Sequence, residues 1–132
     1  MIDRTDAIAL LAQPVDDLAA AADAVRATLG DGTVDACSIV NAKAGSCAED
    51  CGFCAQSAHF DTGIETHGFL DPEEILAAAK RAEADGSQRF GIVVAEPGVS
   101  KEQRPEAWAD VLRAVRLVRE ETDYETAASL GL

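Results

Sequence analysis

The sequence predicts an α/β fold with a parallel sheet, and three observations support this. Predicted strands and helices alternate along residues 34–130, the order that parallel βαβ units produce. The segment 89–95 (RFGIVVA) is apolar without alternation, as expected of a strand covered on both faces. Asp71-Pro72-Glu73-Glu74 provides a capping aspartate, a proline and first-turn acids, which together typically begin a helix.

Two helices are predicted before the first strand. Apolar residues recur there at intervals of three and four, which is the spacing of a helical stripe: Ile8, Leu11, Val15, Leu18, Ala22, Val25 and Leu29. Pro14 interrupts the stripe, and proline fits best in the first turn of a helix. We therefore expect helices over about 5–12 and 14–29, within an N-terminal helical segment of residues 1–32 that ends at Gly30-Asp31-Gly32.

Residues 33–132 are expected to form the first βαβαβ units of the fold. The predicted strands are 34–41 (VDACSIVN), 89–95 and 124–130, and the predicted helices run from Asp71 to about Asp85 and over 105–121. The helix over 105–121 should bury one stripe of side chains: Trp108, Val111, Leu112, Val115 and Val118. Because an open parallel sheet that stops on an uncovered strand is an unfinished fold, we expect a chain truncated at its C-terminal side.

Residues 42–63 show no helical or strand period, and long ordered loops are usually functional. This loop contains the motif Cys47-Ala-Glu-Asp-Cys51-Gly-Phe-Cys54. Such close spacing lets one loop wrap an iron–sulfur cubane, with each thiolate on a different iron. Three protein ligands for four irons leave one iron open, as a catalytic metal requires. The loop follows a strand, and α/β folds place their chemistry at that end of the sheet.

Zinc is the alternative metal for these thiols, with His59 or His67 completing the coordination. The two histidines are eight residues apart in an unpatterned loop, which is not a usual zinc spacing. The zinc interpretation is therefore disfavoured but stays open. Cys37 precedes the motif by ten residues, and we expect it to be a buried core residue.

The charge balance narrows the classes of partner. The net charge is −13, with 24 acidic and 11 basic residues, which argues against nucleic acid and against an anionic membrane surface. The N-terminus lacks a basic stretch followed by an apolar one, and no apolar run approaches ~18 residues. We therefore expect a cytoplasmic protein with reduced thiols. The acidic excess keeps the chain soluble, or suits it to a high-salt cytoplasm.

The segment 37–60 (CSIVNAKAGSCAEDCGFCAQSAHF) resembles the cluster-binding region of biotin synthases, which are radical S-adenosylmethionine (SAM) enzymes. The resemblance extends to the leading helices, to RFGIVVA and to the closing ASLGL, and so covers nearly the whole chain. It implies the N-terminal part of a radical SAM TIM-type (β/α) barrel with leading helices and three parallel strands. It also implies that Cys47, Cys51 and Cys54 hold a [4Fe–4S] cluster whose open iron binds SAM.

The same resemblance implies the chemistry. The reduced cluster would pass one electron to SAM, releasing methionine and a 5′-deoxyadenosyl radical for sulfur insertion into dethiobiotin. Phe53 matches an aromatic position near the SAM adenine, with ordinary loop packing as the alternative, and the backbone around Val94 would lie beside the methionyl part. Dethiobiotin as a small-molecule substrate, an electron donor such as flavodoxin or ferredoxin, and a homodimer complete the expectation. No residue is assigned as a catalytic acid or base.

The sequence departs from the family pattern at two positions. Well-known biotin synthases hold an auxiliary [2Fe–2S] cluster, the sulfur donor, partly through cysteines that correspond to Gly91 and Ala127 here. Three interpretations stay open: a biotin synthase with another sulfur source, a related radical SAM enzyme with a different substrate, and a metal-stabilised non-catalytic module. Since a complete barrel needs roughly 200 residues or more, we expect the 132 residues alone to be inactive.

Overall fold

The computed structural model describes residues 3–131 and divides into two compact units, Met1–Val34 and Asp35–Leu132. The first unit contains helices α1 (Arg4–Leu10) and α2 (Val15–Leu29), so both leading helices are confirmed. The Asp3 carboxylate caps α1 by accepting a hydrogen bond from the Asp6 amide at 2.9 Å. Pro14 lies at the N-cap of α2, one position before the expected first turn. Within residues 3–131, the helices lack the combined length and apolar character of a membrane span.

The second unit is built on a sheet of three strands: β1 (Cys37–Lys43), β2 (Arg89–Val94) and β3 (Glu125–Ser129). The strands are parallel, and their order in the sheet is β1-β2-β3. Helix α3 (Pro72–Ala84) connects the first two strands, and α4 (Pro105–Glu121) connects the second and third. The predicted α/β class and parallel sheet are therefore confirmed, whereas the barrel stays a prediction.

One face of this sheet packs against α3 and α4. The buried cluster combines residues of two strands, both helices and the loops near them: Ala42, Phe90, Ile92, Val94, Ile75, Ala79, Ala82, Val99, Ala114, Val118 and Tyr124. Phe90 and Tyr124 stack with their ring centroids 5.7 Å apart. Because side chains alternate along a strand, Gly91 and Val93 lie on the other face of the sheet.

The start of α3 follows the predicted signals. The helix begins at Pro72, and the Asp71 amide donates to the Glu74 carboxylate at 2.9 Å, which satisfies a donor that the helix itself cannot pair. Gly86, with a φ of +87°, follows the end of the helix, as its position in the sequence predicts.

Several local predictions were wrong. β1 starts at Cys37 rather than at 34 and continues to Lys43, because Ala42 is buried against the helices and Lys43 pairs with Val94. Cys37 is exposed, not buried. It is the first residue of an edge strand and lies on the face opposite Ala42.

The buried stripe of α4 is also narrower than predicted. Val111, Ala114 and Val118 are buried, while Trp108 and Val115 are half-buried and pack at the edge of the core. Leu112 is only half-buried because it lies one position off the line of the buried residues.

Candidate metal centre

The loop predicted to hold the cluster leaves the carboxyl end of β1 through two consecutive residues in the left-handed region. Gly45 has a φ of +71° and Ser46 a φ of +53°. A side chain at position 45 would collide with the side chain of Thr66, so the turn needs glycine there for its conformation and for space. Ser46 is the only non-glycine residue within 3–131 with a positive φ. Cys47 therefore directly follows a tightly specified turn.

Backbone hydrogen bonds join the two ends of the thiol-bearing segment, residues 47–58. The Cys47 amide donates to the Gln56 carbonyl at 2.9 Å, and the Cys47 carbonyl accepts from the Ala58 amide at 2.8 Å. Between them lies Ser57, which is only 4% exposed and whose hydroxyl donates to the Glu49 carbonyl at 2.6 Å. These bonds connect the start of the segment, at Cys47 and Glu49, to its end at residues 56–58.

The middle of the segment carries the other two thiols. The Cys54 amide donates to the Cys51 carbonyl at 2.9 Å, which closes a turn between them. Cys51 is exposed, Cys47 and Cys54 are half-buried, and none of the three is in a disulfide. Within residues 3–131, no three His, Cys, Asp or Glu side chains converge on a common metal position. The loop thus brings three reduced thiols into eight residues without closing them around a centre.

The fit to an iron–sulfur cluster therefore lies in the donor set. Three soft sulfur ligands on one loop are the ligands that such clusters use. None of Cys47, Cys51 and Cys54 is buried, and none is in a disulfide.

A ring nitrogen of each histidine lies at hydrogen-bond distance from a backbone carbonyl. The His59 Nε2 atom lies 3.0 Å from the Ala48 carbonyl, and the His67 Nδ1 atom lies 2.8 Å from the Gly68 carbonyl. The backbone of His67 also pairs with Ala44 in both directions. His59 thus contacts the backbone at Ala48, between Cys47 and Cys51, and His67 pairs with Ala44 directly after β1.

The two residues expected near SAM lie in contrasting surroundings. Phe53 is 96% exposed in the turn between Cys51 and Cys54. Val94 is 7% exposed, ends β2 and packs its side chain into the core, so only its backbone is available to a ligand. Both assignments stay predictions.

Sequence reasoning missed a polar cluster beside the loop. The Lys43 Nζ atom lies 3.1 Å from the Gly45 carbonyl, 2.8 Å from the Ala95 carbonyl and 3.2 Å from the Glu96 carboxylate. Arg104 contacts the same carboxylate at 3.2 Å. The side chains of Lys43 and Glu96 are only 14% and 10% exposed. The sequence did contain a signal for this cluster: Lys43 and Glu96 carry opposite charges near the carboxyl ends of β1 and β2, which are neighbours in the sheet.

Gly91 and Ala127 are register partners across β2 and β3. Ile39 of β1 is the register partner of Gly91 on its other side. All three lie on the sheet face away from the helical core. The two positions that the resemblance associates with an auxiliary cluster are therefore adjacent in space, and neither carries a metal donor.

Comparison with known proteins supports the resemblance. The chain is 78% identical over 131 residues, 99% of its length, to a biotin synthase of Natronomonas pharaonis. It is 45% identical over 76% of its length to a biotin synthase of Desulfotalea psychrophila, and 46% identical over 82% to one of Heliobacterium modesticaldum. The chain spans 35%, 29% and 32% of these relatives. No protein-family model matches it. The likeness predicted from the sequence is thereby confirmed.

Proposed function

The chain is a homologue of biotin synthases over nearly its whole length, and we propose that it forms the cluster-holding part of a radical SAM enzyme of that kind. One observation carries the proposal: three free cysteines with C-x₃-C-x₂-C spacing lie on a loop after β1 whose ends are joined by backbone hydrogen bonds between Cys47 and residues 56 and 58. The chain spans about a third of its relatives. Sulfur insertion into dethiobiotin is therefore proposed for the longer enzyme, in which these strands would belong to a (β/α) barrel.

Cys47, Cys51 and Cys54 would hold a [4Fe–4S] cluster through their thiolates and leave one iron for SAM. When bound, such a cluster supplies the electron that cleaves SAM reductively. The chain itself positions the ligands. Paired backbone groups fix Cys47, and a single turn links Cys51 to Cys54. A reducing cytoplasm and a donor such as flavodoxin or ferredoxin belong to the same proposal, because the thiols and the cluster must be kept reduced.

SAM itself would lie between the loop and the end of β2. The Phe53 ring is exposed and therefore free to pack against the flat adenine. Val94 would contribute its backbone at the strand end, since its side chain is buried in the core. Both contacts stay part of the proposal.

A second candidate function is a related radical SAM reaction with a different substrate. The pair Gly91 and Ala127 favours it, because a hydrogen and a methyl group cannot ligate a second cluster. We accordingly propose no auxiliary [2Fe–2S] cluster held at these two positions. A biotin synthase with another sulfur source is the interpretation closer to the relatives' names.

The test is anaerobic reconstitution of the chain with iron and sulfide. We expect a brown protein with about four irons per chain, and strongly reduced iron uptake in Cys47→Ser, Cys51→Ser and Cys54→Ser. Cys37→Ser is the matched control, because Cys37 is a free, exposed cysteine outside the loop. Zinc bound at one per chain, with no iron or sulfide, would contradict the proposal and favour a metal-stabilised module.

The reaction is tested in the full reading frame, assayed without oxygen with SAM, a reductant and dethiobiotin. Biotin together with 5′-deoxyadenosine supports the first candidate. 5′-Deoxyadenosine without biotin supports the second.

A further inference from the structure

A half-buried group of charged side chains lies where β1 and β2 end, directly before the thiol-bearing loop. Lys43 is the last residue of β1, and Glu96 follows β2 by two positions. We propose that Lys43 is a positioning residue that fastens the start of the thiol-bearing loop to the end of β2. The inference deepens the proposed function, because it concerns how the same loop is held for its ligand.

The ammonium group of Lys43 donates two hydrogen bonds and forms one ion pair. Its Nζ atom lies 3.1 Å from the Gly45 carbonyl, 2.8 Å from the Ala95 carbonyl and 3.2 Å from the Glu96 carboxylate. With its side chain 14% exposed, it has little access to water. The loss of any one contact should therefore lower stability, since water does not readily replace the partner of a half-buried donor.

The contacts join two specific segments. On one side, Lys43 bonds to Ala95 twice, through its own carbonyl at 3.0 Å and through Nζ at 2.8 Å. On the other side, Nζ binds the Gly45 carbonyl, within the left-handed turn that delivers Cys47. Left-handed backbone at Ser46 costs free energy and persists only where neighbouring contacts hold it. The Lys43–Gly45 bond is such a contact.

The effect on the loop is mainly positional, not electrostatic. The charge of Lys43 is offset by Glu96 at 3.2 Å, and Arg104 binds the same carboxylate from a more exposed position. What the removal of Lys43 takes away is the link between the Gly45 carbonyl and the Ala95 carbonyl. The backbone bond between the Lys43 carbonyl and the Ala95 amide would remain, but the Gly45 turn that precedes Cys47 would lose its side-chain link to the end of β2.

The first test uses the metal-free chain and compares amide hydrogen exchange in Lys43→Met with wild type. We expect the amides of Cys47 and Ala58 to exchange at least about tenfold faster, while those within β2 and β3 keep their protection. Lys80→Met is the matched control, because it breaks the Lys80–Glu121 ion pair, whose side chains are each 48% exposed. Unchanged loop exchange in a folded Lys43→Met variant would overturn the proposal.

A double variant covers the case in which Lys43→Met unfolds or exchanges faster across the whole sheet. Glu96 would then keep only the more exposed Arg104 as a partner, and removing one member of a half-buried ion pair is destabilising. Lys43→Met/Glu96→Met replaces the pair with apolar side chains, which is often neutral for stability. It still lacks the bond to Gly45, so loop exchange should again rise with the sheet protected. If the folded double variant exchanges like wild type, Lys43 does not position the loop.

Reconstitution separates this inference from the proposed function. If wild type takes up iron and sulfide, we expect the reduced cluster of the double variant to show an altered electron paramagnetic resonance spectrum, with Lys80→Met unchanged. If wild type takes up neither, the proposed function fails. Amide exchange in the metal-free chain still decides the role of Lys43.

Discussion

Gly91 of β2 and Ala127 of β3 face each other in the parallel register of the sheet, on the face that α3 and α4 do not cover. Ile39 of β1 lies on the other side of Gly91 and is 64% exposed. The family resemblance assigns ligands of a second cluster to two positions 36 residues apart in sequence, and the fold makes them neighbours. A site built there would need both residues to change together.

Gly91→Ala tests whether glycine is required between Ile39 and Ala127, its register partners on the neighbouring strands. An added Cβ would lie 3.1 Å from the Ile39 Cγ2 atom, which is tight, but the exposed Ile39 side chain can rotate. Removing a glycine from a strand favours folding by about 0.5–1 kcal/mol. We expect the free energy of unfolding, measured in urea, to stay within about 1 kcal/mol of wild type or to rise.

Gly131→Ala is the contrasting control. Gly131 has a φ of +87°, and a Cβ added there would lie 2.5 Å from the Pro97 carbonyl oxygen. The free energy of unfolding of Gly131→Ala should therefore be clearly lower than that of wild type. A loss above about 1.5 kcal/mol in Gly91→Ala would show that Ile39 cannot move. Steric exclusion would then explain the missing cysteine.

Local signals account for the parts of the fold that the sequence predicted well. Asp71 and Pro72 mark the start of α3, and the observed α4, Pro105–Glu121, matches the predicted 105–121. β1 was misplaced because its last residues are ordered by tertiary contacts. Ala42 is 1% exposed and accepts a hydrogen bond from the Leu70 amide, a partner that no local pattern identifies.

The same distinction holds for the candidate site. The three thiols were identified as candidate ligands from their spacing, because Cys47, Cys51 and Cys54 lie within eight residues. Lys43 was not found, because Ala95, one of its acceptors, is 52 residues away. A lone lysine before a loop is usually a solvated charge, and only the pairing of β1 with β2 makes it a half-buried one.

Gly45→Ala should damage the thiol-bearing loop more than a matched change elsewhere. Gly45 and Gly63 both have a positive φ, +71° and +67°, but only Gly45 lacks space for a side chain, because Thr66 occupies it. We expect Gly63→Ala to cost about 1 kcal/mol for its backbone conformation, and Gly45→Ala to cost more and to lower iron uptake. Equal unfolding free energies for the two variants would contradict the steric role of Thr66.

Salt should stabilise the chain. A net charge of −13 makes the compact state repel itself. Raising KCl from 0.1 M to 1 M shortens the screening length from about 10 Å to about 3 Å, so the thermal unfolding midpoint should rise. The control is Glu102→Gln/Glu106→Gln/Asp110→Asn, which neutralises three exposed acids near the start of α4 and should reduce the rise. A midpoint that falls with KCl would show that attractive ion pairs outweigh the repulsion.

Tyr124→Phe should leave stability at neutral pH unchanged or raise it by up to about 1 kcal/mol. The buried Tyr124 hydroxyl makes no hydrogen bond of normal geometry among residues 3–131, although the Ser87 side chain is close enough to lower its pKa slightly. The ring stacks on Phe90 at 5.7 Å and would still do so as phenylalanine. Burial, with a smaller contribution from the charge of Glu83, raises the pKa of Tyr124 above its usual value of 10.0. The neutral phenol is thus the form that the fold prefers.

The pH dependence follows from the sign of that shift. Stability from the neutral phenol is fully present below the unfolded pKa near 10.0 and is lost as the pH rises through the higher pKa of the folded state. Tyr124→Phe should therefore resist alkaline unfolding better than wild type in urea titrations above pH about 10. Since the chain has one tyrosine, tyrosinate absorbance reports this group alone. A variant destabilised at neutral pH by more than about 1 kcal/mol would show instead that the hydroxyl has a partner in solution.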